Sequence, residues 1–437
     1  MVTNTIAMQV LAQETRALLT RLKLLQPFAL NMPSVPAAGV SLGAQIAIEQ
    51  YLVKGKRELK NLINRYLDWL YSQDGREASP EEMQRLFTFL RLKFNSITTQ
   101  IDIFADALGQ RSEHNTGVWL SGLDVVAADA LKIPGHYYET PPVICYLDQG
   151  FGAAIRRART RLPGGGENPV AIVRIPRERM IGSGIASSLV HEVGHQGSAL
   201  LNLVNPFRLV LHDIQRTAGE KRTAWIFWER WISEILADFW SVAKLGITST
   251  LGIMGVVSLP RPFVFHISLD DPHPFPWIRV RLSCAIGNAL YPNEQWNILA
   301  RLWESFYPLK GLSKEKQDLI AMLESTFQQF VSTLINYRPE LLRGKSLKEA
   351  MAVHERQPHI LDAYHNTWRS SPAGLRSASP TLAFAVIGQA KANDKLSPEE
   401  ESYTIAELLK YWALQNTLNL SMVCSALLKP RVNAMIA

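Results

Sequence analysis

The sequence predicts a mainly α-helical protein of the α+β class, with one small β-sheet in the middle of the chain. Apolar residues recur at helical spacing through most of its length. By contrast, residues 142–147 and 169–175 are short, rich in β-branched residues and bounded by proline, a pattern typical of strands. Because 437 residues exceed one ordinary core, we expect three regions: a helical region 1–132, a middle region 133–292 that holds the sheet, and a helical region 293–437.

Four helices are predicted in the N-terminal region. Apolar residues at helical spacing cover residues 5–25 and about 45–71. Ser79-Pro80-Glu81-Glu82 has the form of a helix start, because serine can cap a helix and proline is favoured at its first position. A third helix should therefore run from there to about residue 108, and residues 118–131 resemble a fourth. None of these segments carries a catalytic signature.

Beyond the two strands, the chain is again predicted to be largely helical. We expect helices at 219–245, 277–290 and 313–337, and another that starts at Ser397-Pro398. Residues 246–276 should be irregular, because five prolines fall between positions 260 and 276. The very apolar stretch 245–260 is shorter than the ~20 residues that cross a bilayer, so we interpret it as a buried or loop-like cover.

The composition indicates a globular protein of a reducing compartment. The excess of 46 Lys+Arg over 39 Asp+Glu gives a net charge of +7, which is modest for this length, and we expect no nucleic-acid partner. Charged residues interrupt the first 25 positions, where a secretory signal would need an apolar run, so we expect a cytoplasmic protein. Three widely spaced cysteines favour buried thiols over disulfides: Cys145, Cys284 and Cys424.

The segment His191-Glu192-Val193-Gly194-His195 carries the clearest chemical signal. On a helix, residues four apart lie on the same face, so His191 and His195 could both direct a ring nitrogen at one metal ion. Glu192 would lie to the side, within reach of a water on that metal. The alternative is a polar helix face with two surface histidines. The flanking residues are small or apolar, however, which indicates a buried helix whose histidines need a partner such as Zn²⁺.

A catalytic zinc site needs a third protein ligand. The metzincin solution requires glycine at position 198 and histidine at position 201, where this chain has Ser198 and Leu201. Glu234 and Asp238 offer another solution, because they share one face of a strongly apolar predicted helix. Glu234 would bind the metal, and Asp238 would accept the second ring N–H of a ligating histidine. The alternative, an ordinary solvated acidic pair, fits poorly with that apolar setting.

The two motifs together resemble those of the gluzincin metallopeptidases, the thermolysin-like group. The form Glu-x-x-Ala-Asp at Glu234–Asp238 is closer to the family that contains the CAAX prenyl endopeptidase and HtpX-type proteases. In that family a His-Pro pair and then an arginine follow, and His273-Pro274 and Arg279 are similar. The resemblance implies a zincin-like core, a role for His273 near the substrate oxyanion, and a role for Arg279 in organising the site. Those relatives are integral membrane proteins, whereas no segment of this sequence is predicted to span a membrane.

These motifs predict a zinc-dependent metallopeptidase that acts on a peptide or protein substrate, with Glu192 as general base. The alternative is a catalytically inactive zincin-fold protein that serves as a zinc-binding scaffold or a partner-binding regulator. The presence of Glu192 favours the enzyme, since a binding module needs no general base. Weaker candidates have no spacing argument, either as oxyanion donors or as additional metal ligands: Tyr137, Tyr138, Tyr291, His212 and His266.

Overall fold

The computed structural model describes residues 2–25, 35, 37–149, 152–162, 166–177, 182–268 and 270–428. Helices make up 74% of the structure, and the strands form one small three-stranded mixed sheet. The predicted mainly helical class is therefore confirmed. The three predicted regions, 1–132, 133–292 and 293–437, stay predictions.

The N-terminal helices pack around a core of their own, to which Leu18, Ile63 and Phe87 contribute. The Ser79 side chain accepts a hydrogen bond from the Glu82 backbone N–H, so the predicted helix start is confirmed. The helices are α1 (Val2–Leu24), α2 (Leu42–Tyr71), α3 (Gln73–Glu77) and α4 (Pro80–Gly109).

The next helix, α5 (His114–Leu131), joins the central core instead. A buried ion pair fixes its position, with 3.0 Å between Arg111 Nη1 and Asp124 Oδ2. Asp124 Oδ1 also accepts a hydrogen bond of 2.7 Å from the Cys145 backbone N–H of the first strand. One buried carboxylate thus links α5 to the sheet.

The sheet contains β1 (Val143–Asp148), β2 (Ala154–Arg156) and β3 (Ala171–Pro176). Their order is β1-β3-β2, with β3 parallel to β1 and antiparallel to β2. The two predicted strands correspond to β1 and β3. The three-residue edge strand β2 was not predicted, because its sequence is too short to show a period of two.

The sheet separates two cores. Ile144 and Ile172 face the N-terminal helices, whereas Cys145 and Val173 face the central core. This division follows from the alternation of side chains along a strand. Cys145 and Cys284 are buried free thiols, and the side chain of Cys424 lies outside the described residues.

The central helices are α6 (Gly184–Leu200), α7 (Val204–Thr217), α8 (Arg222–Leu245), α9 (Ile247–Val257), α10 (Arg261–Val264) and α11 (Pro276–Leu290). The prediction that residues 246–276 are irregular is wrong for α9 and α10. The stretch 245–260 was expected to be a buried or loop-like cover, and it is a partly buried helix. Gly246, with φ of 59°, ends α8 and lets a new helix begin at once. The hydroxyl of Thr250 in α9 then pairs with that of Ser283 in α11 at 2.7 Å, so these polar groups are satisfied inside the core.

No helix among the described residues has both the length and the apolar character needed to cross a membrane. The apolar segment 245–260 instead holds the eleven-residue helix α9, which packs against α6 and against a helix of the C-terminal region, Pro380–Ala392.

The C-terminal helices are α12 (Gln295–Phe306), α13 (Lys314–Glu324), α14 (Phe327–Asn336), α15 (Leu347–Ala350), α16 (Pro358–Ser370), α17 (Pro372–Ser377), α18 (Pro380–Ala392) and α19 (Pro398–Leu428). Ser397 and Glu400 cap α19 reciprocally, as predicted. The prediction of a single helix over 313–337 is wrong, because one helix ends before Ser325 and the next begins after Thr326. The buried Thr326 hydroxyl donates to Leu323 O and accepts from Trp228 Nε1, which favours a turn at this point.

Helices α6 and α8 approach each other closely because glycines face the contact. A Cβ atom at Gly197 would lie 2.4 Å from the ring of Trp240, and one at Gly194 would lie 2.9 Å from Ala237 Cα. Real Cβ atoms cannot come that near, so both positions require glycine for this packing. The Trp240 ring itself is fixed by a hydrogen bond of 2.9 Å from Nε1 to Ala130 O in α5.

We predict that Gly197→Ala lowers the free energy of unfolding by about 1–3 kcal/mol, because the added methyl group forces α6 away from Trp240. Urea denaturation followed by circular dichroism would measure the change. Gly184→Ala is the matched control in the same helix, because no atom from a packing partner lies within 4 Å of the point that its Cβ atom would occupy. It should be as stable as the wild type or more so. Equal stability of the two variants would contradict the proposed close contact.

Candidate metal centre

His191 and His195 lie one turn apart on α6, and their rings are nearly perpendicular. The ring centroids are 4.9 Å apart, with an interplanar angle of 86°. Both side chains are largely buried, in agreement with the prediction from the apolar flanks of the motif. The helix period thus brings two ring nitrogens to the same side of α6.

Glu234 of α8 completes a group of three ligand atoms. Its Oε2 atom lies 3.3 Å from His191 Nε2 and 3.4 Å from His195 Nε2. The three atoms all lie within 4.8 Å of one another, so these residues could hold a metal ion. Bonds of ~2.0–2.1 Å at tetrahedral angles place ligand atoms ~3.3–3.4 Å apart, close to the separations observed.

The chemistry of Glu234 fits a bound cation. Its Oε2 atom is buried, and no well-aligned hydrogen bond satisfies it among the described residues, although three imidazole nitrogens approach it. Burial acts to raise the pKa of Glu234, but these imidazoles outweigh it and hold the pKa far below its usual range. The atom is thus an ionised oxygen that needs a positive partner.

Asp238 lies one turn further along α8 and contacts His191 at the ring nitrogen that faces away from Glu234. Its Oδ1 atom is 2.8 Å from His191 Nδ1, which leaves Nε2 facing Glu234. Arg279 of α11 grips the same carboxylate with two hydrogen bonds, from Nε at 2.7 Å and from Nη2 at 2.8 Å. Burial acts to raise the pKa of Asp238, but Arg279 and His191 together lower it. The predicted neighbourhood of these residues is therefore present.

His191 is basic in this setting. Burial acts to lower the pKa of its ring, but Asp238 and Glu234 outweigh that effect and raise the pKa to about 9. A metal at Nε2 must therefore displace a proton at neutral pH.

His273 lies at the edge of the site, where its side chain is 44% exposed. Its Nε2 atom is 3.1 Å from Glu234 Oε2, and its Nδ1 atom is 2.8 Å from Asp271 Oδ1. The contact with Glu234 raises the pKa of His273. His273 is therefore close to the centre but is not one of the three residues that group as metal ligands.

Glu192 is buried beside the histidines and lines a small cavity of about 150 Å³. His191, His273 and Arg279 line the same cavity. Among the described residues, the Glu192 carboxylate has no hydrogen-bond or ion-pair partner, so it remains available to a molecule in the cavity.

The structure adds residues that the sequence did not reveal. Ile253, Val256 and Val257 of α9 form an apolar wall of the cavity, in a segment that we expected to be irregular. Asp271 orients His273. The sequence could have indicated this contact, because an aspartate two residues before a histidine can form a local hydrogen bond with it. Glu401 of α19 accepts a hydrogen bond of 3.1 Å from Ser183 N at the start of α6, and nothing in the local sequence indicates that contact.

The weaker candidates lie elsewhere. The Tyr291 hydroxyl donates to Ala243 O, and that of Tyr138 to Leu131 O. Neither they nor Tyr137, His212 and His266 line the cavity beside Glu192.

Comparisons with known protein families, with curated proteins and with solved structures found no match for this chain. The interpretation of the site therefore depends on its own geometry.

We predict that metal affinity rises about tenfold per pH unit between pH 7 and 8.5. The reason is that His191, with a pKa of about 9, must lose one proton before it can bind. Competition with a chromophoric chelator for Zn²⁺ would measure the slope.

Asp238→Asn is the control, because it removes the carboxylate that raises the pKa of His191. The pKa should then fall toward its ordinary value and the slope should flatten, while the affinity of the deprotonated site falls about 10–100-fold. An unchanged slope in this variant would show that His191 is not the proton source.

Proposed function

We propose that this protein is a zinc-dependent metallopeptidase. The observation that carries the proposal is the grouping of His191, His195 and Glu234 beside Glu192, a buried carboxylate without a partner among the described residues. Two imidazoles and one carboxylate form the donor set of the thermolysin-type catalytic zinc site, and three protein ligands leave a fourth position open.

Zinc is the metal that this donor set favours, since imidazole and carboxylate ligands in a three-residue site are typical of catalytic Zn²⁺. A bound zinc ion would supply Lewis acidity for a carbonyl group and lower the pKa of water toward ~7.

Glu192 is placed to move protons. Water in the cavity would give its proton to the Glu192 carboxylate while its oxygen bonds to the carbonyl carbon of the substrate. The C–N bond then breaks, and Glu192 returns the proton to the departing nitrogen, so that a carboxylic acid and an amine are released. The burial of Glu192 beside the apolar wall of α9 lowers the local dielectric constant, which strengthens its interactions with the reacting groups.

Asp238 and Arg279 would act through His191. The two hydrogen bonds from Arg279 fix the Asp238 carboxylate, which in turn fixes the ring of His191 with Nε2 toward Glu234. Rigid support of this kind maintains ligand geometry during reaction.

His273 is our candidate for a donor to the developing oxyanion. Its ring reaches the edge of the site, and Asp271 holds its Nδ1 atom, so that Nε2 faces inward. An N–H donor at this position would stabilise negative charge that develops on the carbonyl oxygen.

The Glu192→Gln variant tests the proposal. It should lose about 10²–10⁴-fold in kcat/KM on a peptide library followed by mass spectrometry, because an amide cannot accept the proton of water. Its zinc content should remain that of the wild type, because Glu192 is not a ligand.

The matched control is Glu220→Gln, at an exposed glutamate far from the cavity, and it should cleave like the wild type. Equal cleavage by the wild type and by Glu192→Gln would contradict the proposal that the protein is a peptidase. Zinc binding without any cleavage would instead favour a zinc-binding scaffold or partner-binding regulator.

We predict that His273→Gln lowers kcat by ~10²-fold with little change in KM, because it removes a donor that acts chiefly in the transition state. Steady-state kinetics and metal analysis would be performed together. Asp271→Asn should give a smaller loss, since His273 remains but is less firmly held. Loss of zinc from His273→Gln would argue for a ligand and against an oxyanion donor.

A further inference from the structure

A second cavity, of about 610 Å³, lies at the far end of α8 from the metal centre. Lys244 lines it and follows Glu234 by ten residues, which corresponds to ~15 Å along a helix. Its walls are the loop after α5, the short helix Val353–Arg356 and the start of α18. The volume is typical of small-molecule sites, which occupy ~300–1,000 Å³.

Two buried cations face this cavity. Lys244 is 5% exposed and Arg356 is 8% exposed. Among the described residues, neither forms an ion pair, and their hydrogen-bond acceptors are neutral. Lys244 donates to Lys132 O, and Arg356 donates to Lys244 O at 2.8 Å and to Thr381 Oγ1 at 3.1 Å. Buried charges without a counter-charge are costly, so the arrangement favours an anionic occupant.

Two carboxylates also line the cavity, Asp129 and Glu355. Glu355 is exposed to solvent, and Asp129, which acts on Lys244, is engaged by other groups. Its Oδ2 atom accepts hydrogen bonds from Thr381 N at 2.9 Å and from Thr381 Oγ1 at 2.7 Å, at the N-terminus of α18. Burial and the neighbouring Arg356 lower the pKa of Lys244 to about 8, although Asp129 acts to raise it. The ammonium group is thus poorly compensated.

The backbone around the cavity is strained on two walls. His136 and Ala352 have φ of 50° and 49°, a left-handed conformation that residues with a side chain rarely adopt. Such residues persist where the surroundings impose them, and they concentrate at binding sites. The strained backbone is thus a second feature typical of a binding site, separate from the buried positive charges.

We propose that this cavity binds a small organic molecule through an oxyanion group held between Lys244 and Arg356. The Arg356 Nη1 atom has no hydrogen-bond partner among the described residues and is free to donate. Arginine and lysine are the side chains that recognise phosphate and carboxylate oxygens. The organic part of the molecule would lie against Tyr137 and Met351, which also line the cavity.

Isothermal titration of the full-length protein with phenyl phosphate and with benzoate tests this site, with sodium chloride at matched ionic strength as reference. We expect saturable binding of at least one probe, weakened ~10-fold or more in Lys244→Met and in Arg356→Met. Lys60→Met, at an exposed lysine of α2, is the control and should bind like the wild type. The probe that binds more tightly identifies the oxyanion as phosphate or carboxylate. A parallel titration with inorganic phosphate, compared with phenyl phosphate, shows whether the organic part contributes to the affinity.

A second measurement needs no substitution. Acetylation of the wild type at pH 7.5, followed by mass spectrometry, should label Lys244, and the bound probe should slow this labelling without protecting Lys60. Binding unchanged in both Lys244→Met and Arg356→Met would place the probe elsewhere, including at the metal centre, and would overturn the proposal. No saturable binding of either probe, or no protection of Lys244 at saturation, would overturn it too.

Discussion

The close contact of α6 with α8 is the constraint on which the metal centre depends. Gly194 and Gly197 leave room for Ala237 and Trp240, and only at this separation does Glu234 reach the two histidines. Gly194 lies inside the His-Glu-x-x-His segment itself, so one short sequence supplies two candidate ligands and the surface that brings the third candidate near. The hydrogen bond from Trp240 to Ala130 extends the same constraint to α5 and, through the Asp124 contacts, to the sheet.

Charge is the second organising principle. Basic and acidic side chains alternate along a row of contacts: Arg279, Asp238, His191 and Glu234. Each of these side chains favours the ionised form of the one beside it. Such a row of charges tolerates burial because each side chain has a partner of opposite charge. Glu234 Oε2 lacks a well-aligned hydrogen bond, and a metal ion there would supply the missing positive partner. The cavity at Lys244 and Arg356 has the opposite imbalance, with positive charge in excess. The same helix α8 therefore contributes to a candidate site for a cation and to a proposed site for an anion.

The sequence predicted the mainly helical fold class and which candidate site residues share a helix face, because both depend on local periodicity. His191, His195, Glu234 and Asp238 lie at helical spacings, so their faces could be worked out before their contacts were known. It could not predict what long-range packing decides. Residues 246–276 contain enough proline and glycine to suggest a loop, yet α9 forms because its apolar surface is buried against neighbouring helices. Helix 313–337 breaks because Thr326 meets Trp228, a residue almost one hundred positions away.

The contact of Glu401 with Ser183 has a consequence for how the chain is made. Helix α6 begins beside a carboxylate that belongs to α19, 218 positions later, and Lys391 pairs with the same buried carboxylate at 2.6 Å. During synthesis the three candidate ligand residues exist as soon as position 234 has been added. The Ser183 N–H at the start of α6 lacks this acceptor until 401 of the 437 residues have been joined. A nascent chain therefore carries all three candidate ligand residues long before the helix that presents two of them is held at its start.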